Sequence, residues 1–134
     1  MKVVFRVDAS IEIGFGHVMR CLTLAEPLRA HGHDVHFVCC TLKGHLAQKI
    51  EQKGFDCLLI QKNDWQTDAG QTTDIIAKFK ADWLIVDHYQ LDYRWHRAVR
   101  NQVYKIMAID DLANRNMDCD LLLDTGMGKL PADY

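Results

Sequence analysis

The chain has 134 residues, 49% hydrophobic and 25% charged, with a formal net charge of −2. That length fits one domain with a real core, and the absence of a dense Lys/Arg block argues against a nucleic-acid or membrane-surface partner. No apolar run approaches the roughly 20 residues of a membrane span, the start MKVVFRVDAS is interrupted by Arg6 and Asp8 and does not read as a signal peptide, and five cysteines without a CxxC spacing point to reduced thiols and a cytoplasmic setting.

Residues 2–8, rich in Val and Phe, predict a first strand. Val18, Cys21, Leu22, Ala25 and Leu28 recur at helical spacing and predict a helix over 17–31 that ends at Gly32. Pro27 lies inside it and cannot donate to the carbonyl of Thr23, so a kink or a loosened turn is expected there. Residues 35–40 read as a second strand, the stretch from Leu46 through Ile50 to Gly54 as a second helix, and 57–60 as a third strand. Residues 64–71 are polar and read as a loop, followed by a short helix over 74–80 with Ile75, Ile76 and Phe79 on one side. A fourth strand at 83–86, a helix at 92–102, a fifth strand at 105–109 and a sixth at 121–123 complete the series. Trp65, Trp83 and Trp95 are scattered and read as core or partly buried anchors.

Short apolar strands alternating with amphipathic helices imply parallel strands covered on both faces. Right-handed crossovers then give an open, doubly wound α/β sheet of Rossmann-like type. Residues 1–125 form that domain, and 126–134, with two glycines and a proline, read as a linker. In such a sheet ligands bind beyond the carboxyl ends of the strands. Four polar clusters fall there: residues 8–17, Asp87-His88-Tyr89, Asp110-Asp111 and Asp124.

The stretch EIGFGHVMR, residues 12–20, joins the first strand to the first helix. Gly14 and Gly16 permit unusual backbone angles and close approach of a ligand, and the helix aims free N–H groups and its positive dipole end at the same space. His17 is placed to act as a base, since an unperturbed imidazole titrates near 6.5; a tight turn with a solvated histidine fits the spacing equally well. The stretch is neither a GxGxxG fingerprint nor a P-loop. HGHDVH, residues 31–36, and DCD, residues 118–120, have the look of metal motifs but read as surface loops. Asp8 and Glu12 pair around the turn, where one could orient His17 or both could satisfy loop N–H groups. His88 is a second base or a satisfied buried histidine, Tyr89 a ring to stack on a sugar, and Asp110 and Asp111 either touch substrate or cap a following helix.

FRVDASIEIGFGHVMRCLTLAEPLR, LIVDHYQLD, AIDDLANR and CDLLLD, in that order, resemble the N-terminal half of the bacterial UDP-sugar hydrolases of pseudaminic acid biosynthesis, a family related to the GT-B glycosyltransferases. The resemblance implies the N-terminal half of a GT-B fold acting on a UDP-linked amino sugar. It implies inverting attack by water at the anomeric carbon, with His17 as the base, Tyr89 near the sugar, and no metal or other cofactor. The substrate-binding set is then Asp8, Glu12, Gly14, Phe15, Gly16, Arg20, His88, Tyr89, Asp110 and Asp111. It further implies a second, C-terminal nucleotide-binding domain outside these residues, so that the isolated chain folds but hydrolyses poorly. The rivals are a GT-B glycosyltransferase half and a non-catalytic sugar-binding module.

Overall fold

A computed structural model describes residues 1–134. The six strands are β1 (Lys2–Val7), β2 (Asp34–Cys40), β3 (Asp56–Ile60), β4 (Trp83–Asp87), β5 (Lys105–Asp110) and β6 (Leu121–Asp124), and the four helices are α1 (Gly16–Ala30), α2 (Ala47–Gln52), α3 (Trp65–Phe79) and α4 (Tyr93–Val99). The strands form one sheet in the order β3-β2-β1-β4-β5-β6, and every pairing is parallel. This is the doubly wound α/β architecture expected of the sequence. None of its helices is long and apolar enough to cross a membrane.

Period-two alternation along the central strands divides the core into two halves. Val3, Phe5 and Val7 of β1 pack with Val18, Cys21, Leu22 and Ala25 of α1 and Ile50 of α2. Val4 of the same strand packs on the opposite face with Ile76 of α3 and Trp95 and Val99 of α4. The neighbouring Cys39 and Cys40 enter opposite halves of the core, and all five cysteines are free thiols. Helix α1 continues through Pro27, which lies in its last turn.

The expected loop at 64–71 is instead the first half of α3. Asp64 is the N-cap, its carboxylate accepting the Thr67 N–H at 2.7 Å. The polarity of the segment misled because Asp68 points inward rather than to water. It accepts from Arg6 Nη2 at 2.5 Å and from Trp95 Nε1 at 2.9 Å. At the far end of the sheet, residues 31–33 form the expected turn, but His36 lies buried in β2, stacked on Phe79 with ring centroids 4.4 Å apart. The helix expected over 92–102 ends as α4 at Val99 and tightens into a 3-10 turn over Arg100–Gln102.

Arg6 is the largest charged group of the interior, fully buried in the middle of the sheet. Its guanidinium donates to Asp68, to Asp8 at 2.7 Å and to the Cys40 sulfur at 3.1 Å. Burial alone would lower its proton affinity, but the two carboxylates outweigh that and raise it. Removing one partner from such a buried cluster leaves charge uncompensated, at a cost of about 3–5 kcal/mol. Arg6→Met therefore lowers the urea unfolding midpoint by an amount corresponding to that range, even though the replacement is apolar and unbranched.

Candidate functional site

Parallel pairing delivers the carboxyl ends of all six strands to one rim. Between β1 and α1 the chain makes a tight bend: Ser10 and Gly14 pair across it, and the Ser10 hydroxyl accepts the Ile13 N–H at 2.9 Å. Gly14 has φ +85°, a left-handed angle that a side chain would strain. Gly16 opens α1, and a Cβ added there would meet nothing, so its smallness keeps space clear in front of the helix rather than relieving packing. The helix has no side-chain N-cap and no acidic residue in its first turn. Its leading N–H groups and positive dipole end thus remain available to an anion.

His17 sits in that first turn and is mostly buried. Its partner comes from 70 residues away: Nδ1 lies 2.6 Å from Oδ1 of Asp87. The pairing follows from topology, because β1 and β4 are neighbours with Val7 opposite Asp87. Asp87 is buried, which pushes its carboxyl up, but Arg20 and His17 outweigh this and hold it below the usual carboxylate range. An ionised carboxylate only accepts, so Nδ1 carries a proton, and in the neutral form of the ring the lone pair is on Nε2. Nε2 has no protein partner and is not sealed from solvent.

The surroundings of this pair are as ordered. Arg20 donates to both oxygens of Asp87, at 2.6 Å from Nη2 and also from Nε, and through Nη1 to Thr125 at 2.9 Å and Asp111 at 3.3 Å. The ring of Tyr89 meets that of His17 edge-on, centroids 4.4 Å apart. Its hydroxyl donates to Asp111 at 2.5 Å. Burial and then that hydrogen bond push the phenol up to about 12. Phe15 stands half-exposed beside the bend.

Other predicted site residues are occupied by the protein itself. Asp8 accepts from Arg6, from the Cys40 N–H at 2.7 Å and from His88 Nε2 at 2.8 Å. Burial raises its carboxyl, yet the bonds from His88 and Arg6 win and hold it well below the usual range. His88 is filled at both nitrogens, since its Nδ1 accepts the Gln90 N–H at 3.1 Å. Of the two roles open to Asp8 and Glu12, orienting His17 falls to neither; Asp87 orients it, while Asp8 accepts a backbone N–H, that of Cys40. Asp110, fully buried, accepts from the N–H groups of Leu112 and Ala113, from Arg115 at 2.9 Å and from the Tyr134 hydroxyl at 3.0 Å. It caps an irregular turn, not a helix, because none follows β5.

A cleft of about 650 Å³ opens on the same rim toward β2 and β3, walled by residues of the bend, Thr41, Lys43, Lys62 and Trp65. Asp8 and His88 line it, while His17 does not. The bend is therefore a partition with the cleft on one side. Sequence reasoning placed Asp87 in a rim cluster without seeing it as the partner of His17, and passed over Thr125 and the bridging role of Arg20. The one local signal for Asp87 was an acidic residue closing an otherwise apolar strand.

No protein-family model matches the chain. Over its whole length it is 31% identical to a UDP-2,4-diacetamido-2,4,6-trideoxy-beta-L-altropyranose hydrolase of Campylobacter jejuni, and it spans 45% of that protein. Over 83% of its length it is 26% identical to an uncharacterized protein of Methanocaldococcus jannaschii, of which it spans 22%. The chain thus covers less than half the length of either relative, and its likeness to the first runs from end to end.

Two buried carboxylates of the rim, Asp8 and Asp87, are held ionised in the fold, below the value of about 3.9 that an unfolded aspartate has. Their contribution to stability is complete above that value and is lost as pH falls through and below it. Urea midpoints measured in steps from pH 6 to pH 2.5 are expected to drop most steeply below about pH 4; Asp87→Asn shallows the drop.

Proposed function

We propose that the chain is the base-bearing, sugar-facing part of a UDP-sugar hydrolase. The observation that carries this reading is the His17–Asp87 pair at the uncapped start of α1, in a chain similar along its length to such a hydrolase. Water held at Nε2 loses its proton to the imidazole as its oxygen attacks the anomeric carbon. The C1–O bond to the diphosphate breaks on the opposite face, and UDP departs with the electron pair. UDP is a stable leaving group, so strong acid assistance is unnecessary, unlike in glycosidases that expel an alkoxide. The free N–H groups and dipole of α1 favour negative charge developing on the diphosphate. The clear space in front of Gly16 lets it approach. Tyr89, with its proton committed to Asp111, presents an edge and an acceptor oxygen to the sugar.

Uridine recognition and most of the diphosphate contacts are assigned to a second domain. The rim offers it a half-apolar surface of exposed Ile11, Ile13, Phe15 and Met19 around the site. The pseudaminic acid pathway, inversion and independence from metal belong to the same proposal.

The test supplies a UDP-linked N-acylated amino sugar without acceptor to this chain and to a longer polypeptide carrying a second, nucleotide-binding domain. The longer protein is expected to release UDP and free sugar, and the 134-residue chain alone to do so poorly. His17→Ala should cost the longer protein about 10²- to 10⁴-fold in turnover. Turnover only with an added acceptor supports a transferase instead, and undiminished activity of His17→Ala removes the imidazole from the chemistry.

A further inference from the structure

We propose that Arg20 is a positioning residue, which pins Asp87 and compensates its charge so that His17 keeps a single tautomer and readily gives up the proton it accepts. The inference rests on His17 being the base. The family resemblance places Arg20 among the substrate-binding residues. The structure commits it elsewhere. Nε and Nη2 take the two oxygens of Asp87, and Nη1 takes Thr125 and Asp111. Its fork therefore reaches the ends of β4, β5 and β6 from one side chain of α1.

Consider what faces the imidazole. From α1 come Arg20, whose Nη2 is 3.3 Å from Nδ1, and Cys21, whose thiol donates to Asp87 at 3.6 Å. From β4 comes Asp87 itself, and from the loop beyond it the edge of Tyr89. From the end of β5 comes Asp111, which touches both Tyr89 and Arg20. Arg115, whose guanidinium carbon lies 5.8 Å from the Tyr89 ring, is spent on Asp110. Arg20 is thus the cation in contact with both carboxylates. Without it, Asp87 would face His17 as a buried, uncompensated anion and would trap the imidazolium. With it, Oδ1 is shared between two donors on fixed lines, and the ring cannot turn Nε2 inward without losing its bond.

The test follows the imidazole nitrogens of this chain by ¹⁵N NMR across pH, with no turnover involved, so a failed hydrolase reading and a failed positioning reading are told apart. Arg20→Met is expected to raise the pH at which His17 takes up its proton by about one unit, a tenfold gain in proton affinity, and to mix its tautomers. Arg20→Lys restores the midpoint but not the single tautomer, because a point charge replaces the fork. Adding Asp87→Asn to Arg20→Met abolishes the upward shift. Should Arg20→Met not fold, Arg20→Gln, a neutral side chain that still offers a donor, serves and is expected to shift the midpoint in the same direction. An unchanged midpoint and tautomer in a folded Arg20→Met or Arg20→Gln overturns the proposal.

Discussion

Four adjacent strands of this sheet finish on an aspartate: Asp8 just past β1, then Asp87, Asp110 and Asp124 at the ends of β4, β5 and β6. Parallel pairing sets these four carboxylates side by side, and burial of Asp8, Asp87 and Asp110 keeps water from screening most of their charge. Repulsion along such a row would open the rim unless each member had its own counter-group. Each has one. Arg6 serves Asp8, Arg20 serves Asp87, Arg115 serves Asp110, and Tyr134 with Lys129 serves Asp124. The fold therefore concentrates negative charge at one rim of the sheet and then cancels it locally. What stays open beside the His17–Asp87 pair is small and specific: the second nitrogen of the imidazole and the leading amides of α1.

That economy separates the predicted site residues into two groups. Asp8, His88, Asp110 and Arg20 are polar and rim-placed, yet their hydrogen-bonding capacity is consumed within the chain. Their work is to fix the loops that follow the strands. His17, Tyr89, Phe15 and the two glycines retain exposed edges or open space. The cleft beside the bend has a different character: Lys43, Lys62 and the indole of Trp65 line it together with Asp8 and Asp68 of the Arg6 ion network.

The architecture was legible because burial on both faces of a parallel sheet leaves an unmistakable trace: short runs such as VVF, LIV and IMAI, with helical spacing between them. The bend and its histidine were legible for a similar reason, since glycines at a strand-to-helix junction have few other uses. The start of α3 was hidden because a buried aspartate looks the same in sequence as a solvated one; its distant donors, Arg6 62 residues earlier and Trp95 27 residues later, make the difference. The partner of His17 was hidden likewise. Choosing Asp87 over the nearer Asp8 needs the knowledge that β4 lies beside β1 and in which register. Local pattern carries the elements, whereas the pairing of charges is a property of topology.

One contact ties the site to the margin of the sheet. Arg20 and Thr125 are 105 positions apart, and their hydrogen bond steadies the fork that holds Asp87. Thr125 directly follows β6, the edge strand of the sheet. Fraying of that one edge would leave the histidine and the bend in place and take away part of the brace on Arg20.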